Sequence, residues 1–186
     1  MINYSDLKKG VMVEIDGDIY QVTEYAPFRH AQRAAMAKVK FKNIKNGRNI
    51  EKTLQPGEKL MKVQLEGKTL QYLYRDGDLY CFMDVKNFEQ LSLNGDLLGD
   101  NVNYLHENIN IQLLSYKDVP VMAELPITVE LVVEETGPAY KGDTAQSGTK
   151  PARMETGLEV KVPLFVANGD RIKIDTRTGE YLERAG

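Results

Sequence analysis

The chain has 186 residues, 42% of them hydrophobic and 27% charged, with a formal net charge of −3. That composition suits one large globular domain or two to three small ones and excludes a mainly disordered chain. No apolar run approaches the roughly 18 to 20 residues needed to span a bilayer, and Met1-Ile2-Asn3-Tyr4-Ser5-Asp6 lacks the basic and apolar regions of a signal peptide, so a cytoplasmic protein is expected.

The single cysteine, Cys81, rules out an internal disulfide and, between Tyr80 and Phe82, reads as a small buried strand residue. The modest net charge conceals an asymmetry along the chain. Residues 1–63 carry 12 Lys/Arg and 7 Asp/Glu, residues 64–126 carry 4 and 10, and residues 127–186 carry 8 and 10. From Arg29 to Lys62 there are ten basic residues against only Glu51 and Glu58, so one module is locally basic.

Taken in chain order, the apolar runs at 11–15 and 19–22 flank Asp16-Gly17, the chemistry of a primed hairpin turn. Residues 35–42 then alternate Ala35, Ala37, Val39 and Phe41 with Met36, Lys38, Lys40 and Lys42. This period of two predicts a half-buried strand whose outer face is basic. Asn46-Gly47 predicts the next such turn. Short strands without a helical pattern predict a small SH3-like barrel ending near Val63.

The second segment opens with strands at 70–74 and 79–83 around Asp76-Gly77. Between Asn87 and His106, apolar residues recur at spacings of three to seven but are interrupted by Gly95 and Gly99, which predicts short helical turns. Strands at 109–116 and 119–122 precede a boundary at Pro126. A further alternating run at 128–135, strands at 158–166 and 171–175, and the Asn168-Gly169 turn complete the chain. The fold class expected is all-β, with a first domain at 1–63 and OB-type barrels at 64–126 and 127–186.

The chemistry of catalysis is missing from the pattern. His30 and His106 have no ligand partner at metal spacing, and no nucleophile-elbow motif or cysteine with basic neighbours is present. The stretch Gly142-Asp143-Thr144-Ala145-Gln146-Ser147-Gly148-Thr149-Lys150 approaches a phosphate loop but fails it. Five residues separate its glycines, threonine precedes the lysine, and Pro151 follows. It reads as a long connection between strands, and neither a cofactor nor a metal is expected. A general single-stranded RNA-binding module is the main alternative, although the acidic middle segment argues against a continuous binding track.

Several motifs together resemble the elongation factor P family of bacteria. They are Lys141-Gly142-Asp143-Thr144-Ala145, Lys150-Pro151-Ala152, Val162-Pro163-Leu164-Phe165-Val166 and the closing Asp175-Thr176-Arg177-Thr178-Gly179-Glu180-Tyr181-Leu182-Glu183-Arg184. The hairpin from Tyr72-Leu73-Tyr74 to Phe82-Met83 is similar to the family's middle domain. The resemblance implies an SH3-like (KOW-type) domain and two OB domains in a tRNA-like L shape. It implies binding to the ribosome between the peptidyl-tRNA and exit sites, where the factor promotes peptide-bond formation at consecutive prolines. A monomer without enzymatic activity, and without DNA or membrane partners, follows as the expectation.

In many relatives the tip of the first domain reads Pro-Gly-Lys-Gly with an extended lysine, and in others an arginine there is glycosylated. Here the loop is Pro27-Phe28-Arg29-His30-Ala31-Gln32-Arg33-Ala34, and ungapped matching from Ala35 places Gln32 at the modified position. An unmodified tip is therefore expected, with Arg29, His30, Gln32 and Arg33 facing peptidyl-tRNA. Lys38, Lys40 and Lys42, together with Tyr181 and Arg184, are expected to contact tRNA. A barrel-core position is the alternative for Tyr181. The loop at 142–150, with Gly142, Asp143, Thr144, Gly148 and Lys150, is expected to face the small subunit or the messenger.

Overall fold

A computed structural model describes residues 1–29, 35–138 and 148–186. Strands dominate it: β1 (Ile2–Asn3), β2 (Met12–Ile15), β3 (Asp18–Phe28), β4 (Met36–Asn43), β5 (Asn49–Leu54) and β6 (Lys59–Lys62) build a six-stranded sheet in the order β1-β6-β2-β3-β4-β5. A second sheet holds β7 (Glu66–Asp76), β8 (Leu79–Asp84), β9 (Gln90–Asn94), β10 (Asn110–Tyr116) and β11 (Val119–Glu124), in the order β11-β10-β7-β8-β9. The third holds β12 (Thr128–Thr136), β13 (Thr149–Met154), β14 (Glu159–Pro163), β15 (Arg171–Asp175) and β16 (Tyr181–Arg184), in the order β14-β13-β12-β15-β16. Counted within each, the two five-stranded sheets share the order 3-2-1-4-5, so they repeat one topology without a visible sequence repeat.

The hairpin turns follow local chemistry, with one adjustment. Asp16 and Gly17 both take positive φ, 53° and 85°, the signature of the primed hairpin turn expected there. At Asn46-Gly47 only Gly47 does, because the connection is longer than two residues. The Asn43 carboxamide accepts the backbone N–H groups of Lys45 and Asn46 across it.

The helical turns expected over 87–106 begin later than the sequence suggests. Leu91 and Leu93 alternate at period two and pair with Phe82 and Tyr80, so Gln90–Asn94 is a strand. The helical part is α1 (Gly95–Leu98), capped by the Asn94 side chain, followed by a 3₁₀ turn over Gly99–Tyr104.

Compactness divides the chain into two units, one of 1–67 with 114–122, the other of 68–113 with 123–186. In the first unit Leu7, Val13, Ile15, Val22, Ala37, Val39, Phe41 and Leu54 form the core. Within the same unit the Tyr116 hydroxyl, at the end of β10, lies 3.3 Å from Glu14 Oε2. In the second unit one continuous core joins Leu70 and Phe82 of the middle sheet and Leu98 of α1 to Leu131, Met154 and Ile174 of the third sheet. Burying each large apolar side chain contributes roughly 1.5–3 kcal/mol.

Cys81 departs from the buried position expected. On β8 the residues Tyr80, Phe82 and Asp84 point inward, which leaves Cys81 on the other face, half-buried, with its Sγ 3.5 Å from Ser92 Oγ. No helix among the described residues is long and apolar enough to cross a membrane.

Candidate nucleic-acid interface

The period-two reading of 35–42 is realised in β4. Ala37, Val39, Phe41 and Asn43 are buried while Lys38, Lys40 and Lys42 are exposed, so one strand carries core on one face and three ammonium groups on the other. β3 and β4 pair as far as Phe28 with Met36, whereas β2 accompanies β3 only over Asp18 to Val22. The outer half of this hairpin therefore extends past its β2 neighbour. Its outer end, where β4 begins, is tied down by Tyr4, whose hydroxyl donates to the Ala35 carbonyl at 2.9 Å.

Arg29 stands at the exposed end of this hairpin. His30, Gln32 and Arg33 lie outside the described residues, as do Gly142, Asp143 and Thr144.

The lysines are less free than their sequence suggests. Lys40 Nζ sits 2.6 Å from Glu24 Oε2, and Lys38 Nζ sits 2.9 Å from Glu51 Oε1. The hydrogen bond from Lys40, reinforced by its charge, holds the Glu24 carboxyl below the usual glutamate range, and Glu24 in turn raises Lys40. All four side chains are about half exposed, so each pair is weak and screened by salt. Lys42 makes no ion pair among the described residues. Tyr4, Glu24 and Glu51 carry no local signal in the sequence, because their cross-strand partners lie 13 to 31 positions away.

At the far end of the chain, β16 pairs with β15 so that Tyr181 stands opposite Ile174 and Arg184 opposite Ile172. Tyr181 is half-buried and packs against the core of the second unit. It also lines an open groove of about 500 Å³ with Thr149, Lys161, Pro163 and Glu180. Both readings of this ring, core aromatic and surface contact, thus have a structural counterpart. Arg184 is exposed, with its guanidinium 3.6 Å from Asp170.

Lys150 corrects the sequence reading. It is not part of a loop but belongs to β13, paired with Val162, because Thr149 to Arg153 continues the ladder opposite Glu159 to Pro163. Gly148 sits immediately before that strand, against Leu164. A Cβ there would lie 2.7 Å from a Leu164 methyl, so this glycine serves close packing.

A six-stranded module with a basic hairpin, together with two five-stranded sheets of OB order, defines a modular all-β protein. Comparison with known families sharpens this. The elongation factor P KOW-like domain matches residues 3–60, its OB domain residues 65–123, and its C-terminal domain residues 129–184. An elongation factor P of Acetivibrio thermocellus is 50% identical over 184 residues, covering 99% of this chain and 100% of its own. One of Moorella thermoacetica is 48% identical over 185 residues and covered in full. The chain belongs to the elongation factor P family of translation factors. A solved structure titled eukaryotic translation initiation factor 5A from Methanococcus jannaschii shares the fold over 67% of this chain and 92% of its own, with a TM-score of 0.55 at 20% identity.

Proposed function

We propose that this translation elongation factor binds the ribosome between the peptidyl-tRNA and exit sites, contacts peptidyl-tRNA and speeds peptide-bond formation where consecutive prolines stall it. The observation that carries the reading is the β3–β4 hairpin, which extends past β2, is anchored by Tyr4 and presents the lysines of β4 along its length. On this reading the functional modules are 1–63, 64–126 and 127–186, a division supported by the family matches at 3–60, 65–123 and 129–184.

The factor acts by position. Holding the acceptor end of a tRNA in reacting geometry removes part of the entropic barrier without proton transfer by the protein, so no catalytic residue or cofactor is required. Arg29 and Arg33 offer guanidinium forks or stacking planes to the tRNA end, and Gln32 offers neutral hydrogen bonds. Lys38, Lys40 and Lys42 follow the tRNA backbone, with Tyr181 and Arg184 as contacts from the C-terminal module. The segment from Gly142 to Gly148 faces the small subunit or messenger. The protein works as a cytoplasmic monomer, with neither DNA nor membrane as a partner.

The test is rescue of polyproline synthesis by recombinant protein made without any modifying enzyme. Full rescue is expected, with Arg33→Glu reducing it at least tenfold. Rescue that appears only with native protein bearing an adduct on the tip overturns the unmodified tip.

A further inference from the structure

The three lysines of β4 stand in different rows. Lys40 lies directly between two carboxylates, opposite Glu24 on β3 and opposite Glu51 on β5. Lys42 lies between Gln21 and Asn49, and Lys38 between Ala26 and Thr53, from where it reaches across to Glu51. Of the three, Lys42 alone makes no ion pair among the described residues.

The placement of Glu24 depends on a fault in the ladder. Val22 pairs with Phe41 and is fully buried, so strict alternation would send Glu24 inward as well. Instead the register shifts between Val22 and Glu24, with the Thr23 hydroxyl donating to the Lys40 carbonyl at 3.1 Å. The bulge exchanges the faces: Tyr25 packs against the core, and Glu24 emerges beside Lys40.

We propose that Glu24 and Glu51 are specificity residues of the RNA-facing strand, occupying the ammonium groups of Lys40 and Lys38 in the free protein where an RNA phosphate would otherwise settle. The proposal rests on the reading of β4 as an RNA-contacting strand. An arriving phosphate must displace a carboxylate that already satisfies the lysine, so the exchange of one anion for another gains little by itself. Of these three lysines a random strand therefore finds only Lys42 ready, whereas an RNA held by additional contacts elsewhere completes the exchange at all three positions. Specificity arises because the competing partner is built in. The weakness of exposed ion pairs suits this role, since a firmly bound carboxylate would never yield.

The experiment compares binding of a mixed-sequence single-stranded RNA and of an unmodified tRNA transcript by fluorescence anisotropy, across roughly 50 to 200 mM salt. For the double variant E24Q/E51Q, affinity for the mixed strand is expected to rise about tenfold at the lowest salt. Its log–log salt slope should steepen by about 1.4, the value for two newly neutralised phosphates, and preference for tRNA should fall. An unchanged slope and preference in that variant overturns the proposal. The triple variant K38Q/K40Q/K42Q separates the causes: if it loses tRNA affinity while E24Q/E51Q matches the wild type, the RNA-facing strand stands without its carboxylate competitors. If neither variant differs from the wild type, the strand does not face RNA and the proposal falls with it.

Discussion

The two compact units solve the same problem, covering a β-sheet core, at different scales. Among the described residues the core cluster of the first unit gathers 8 buried apolar side chains, and that of the second gathers 22. The smaller unit carries the β3–β4 hairpin and its lysines; the larger carries Tyr181 and Arg184 on a sheet whose core is shared with its neighbour. A small core that bears an exposed, charged extension has less stability in reserve, because buried area rises steeply with size.

That contrast is easiest to break at the core. Phe41→Ala, at a fully buried position of β4, is expected to cost about 3–5 kcal/mol. The loss should strip amide-exchange protection from β3, β4 and β5 while β12 and β15 keep theirs. The matching Phe82→Ala should cost a similar amount but remove a smaller share of the protection of its unit. Equal loss of protection in both units after Phe41→Ala would show that the two cores unfold as one.

The larger unit can be probed where its two sheets meet. Gly179 has φ +73°, and a Cβ there would stand 3.2 Å from the Tyr104 hydroxyl oxygen. Gly179→Ala is therefore expected to cost about 1–2 kcal/mol, read as a lower melting temperature, with part recovered by adding Tyr104→Phe. The absence of any recovery would assign the whole cost to the backbone.

The smallest effect is electrostatic and lies in the turn that follows β15. Asp175 accepts from Arg177 Nη2 at 2.6 Å, from Nε at 3.0 Å and from its backbone N–H at 2.8 Å, and these bonds hold its carboxyl at about 2, below the ordinary 3.8. A depressed carboxylate stabilises the fold fully above its unfolded value and loses that contribution as pH falls through the folded one. Asp175→Asn should accordingly melt lower at neutral pH yet decline less steeply between pH 4 and pH 2 than the wild type. Parallel melting curves over that interval would remove Asp175 from the acid response.

Much of the fold was legible because its signals are local. The lysine alternation of β4 and the Asp16-Gly17 turn each depend on neighbours one to four residues apart, which is why both emerge as read. The strand at Gln90–Asn94 was hidden behind a wider helical spacing, since two leucines at period two are too few to outweigh it. Around Lys150, Pro151 and the small residues before it suggest a connection, yet the ladder pairs Lys150 with Val162 and Pro151 with Lys161.

The sequence by itself determined the all-β class, the basic character of one strand and, through its motifs, the family, because alternation, turn residues and motif order are properties of adjacent positions. Only the tertiary structure decided which charges on that strand remain free. Glu24 reaches Lys40 through a one-residue bulge that reverses side-chain parity, and Glu51 reaches Lys38 through the register of a neighbouring strand. Both depend on how distant segments are laid side by side, a relation no local pattern encodes.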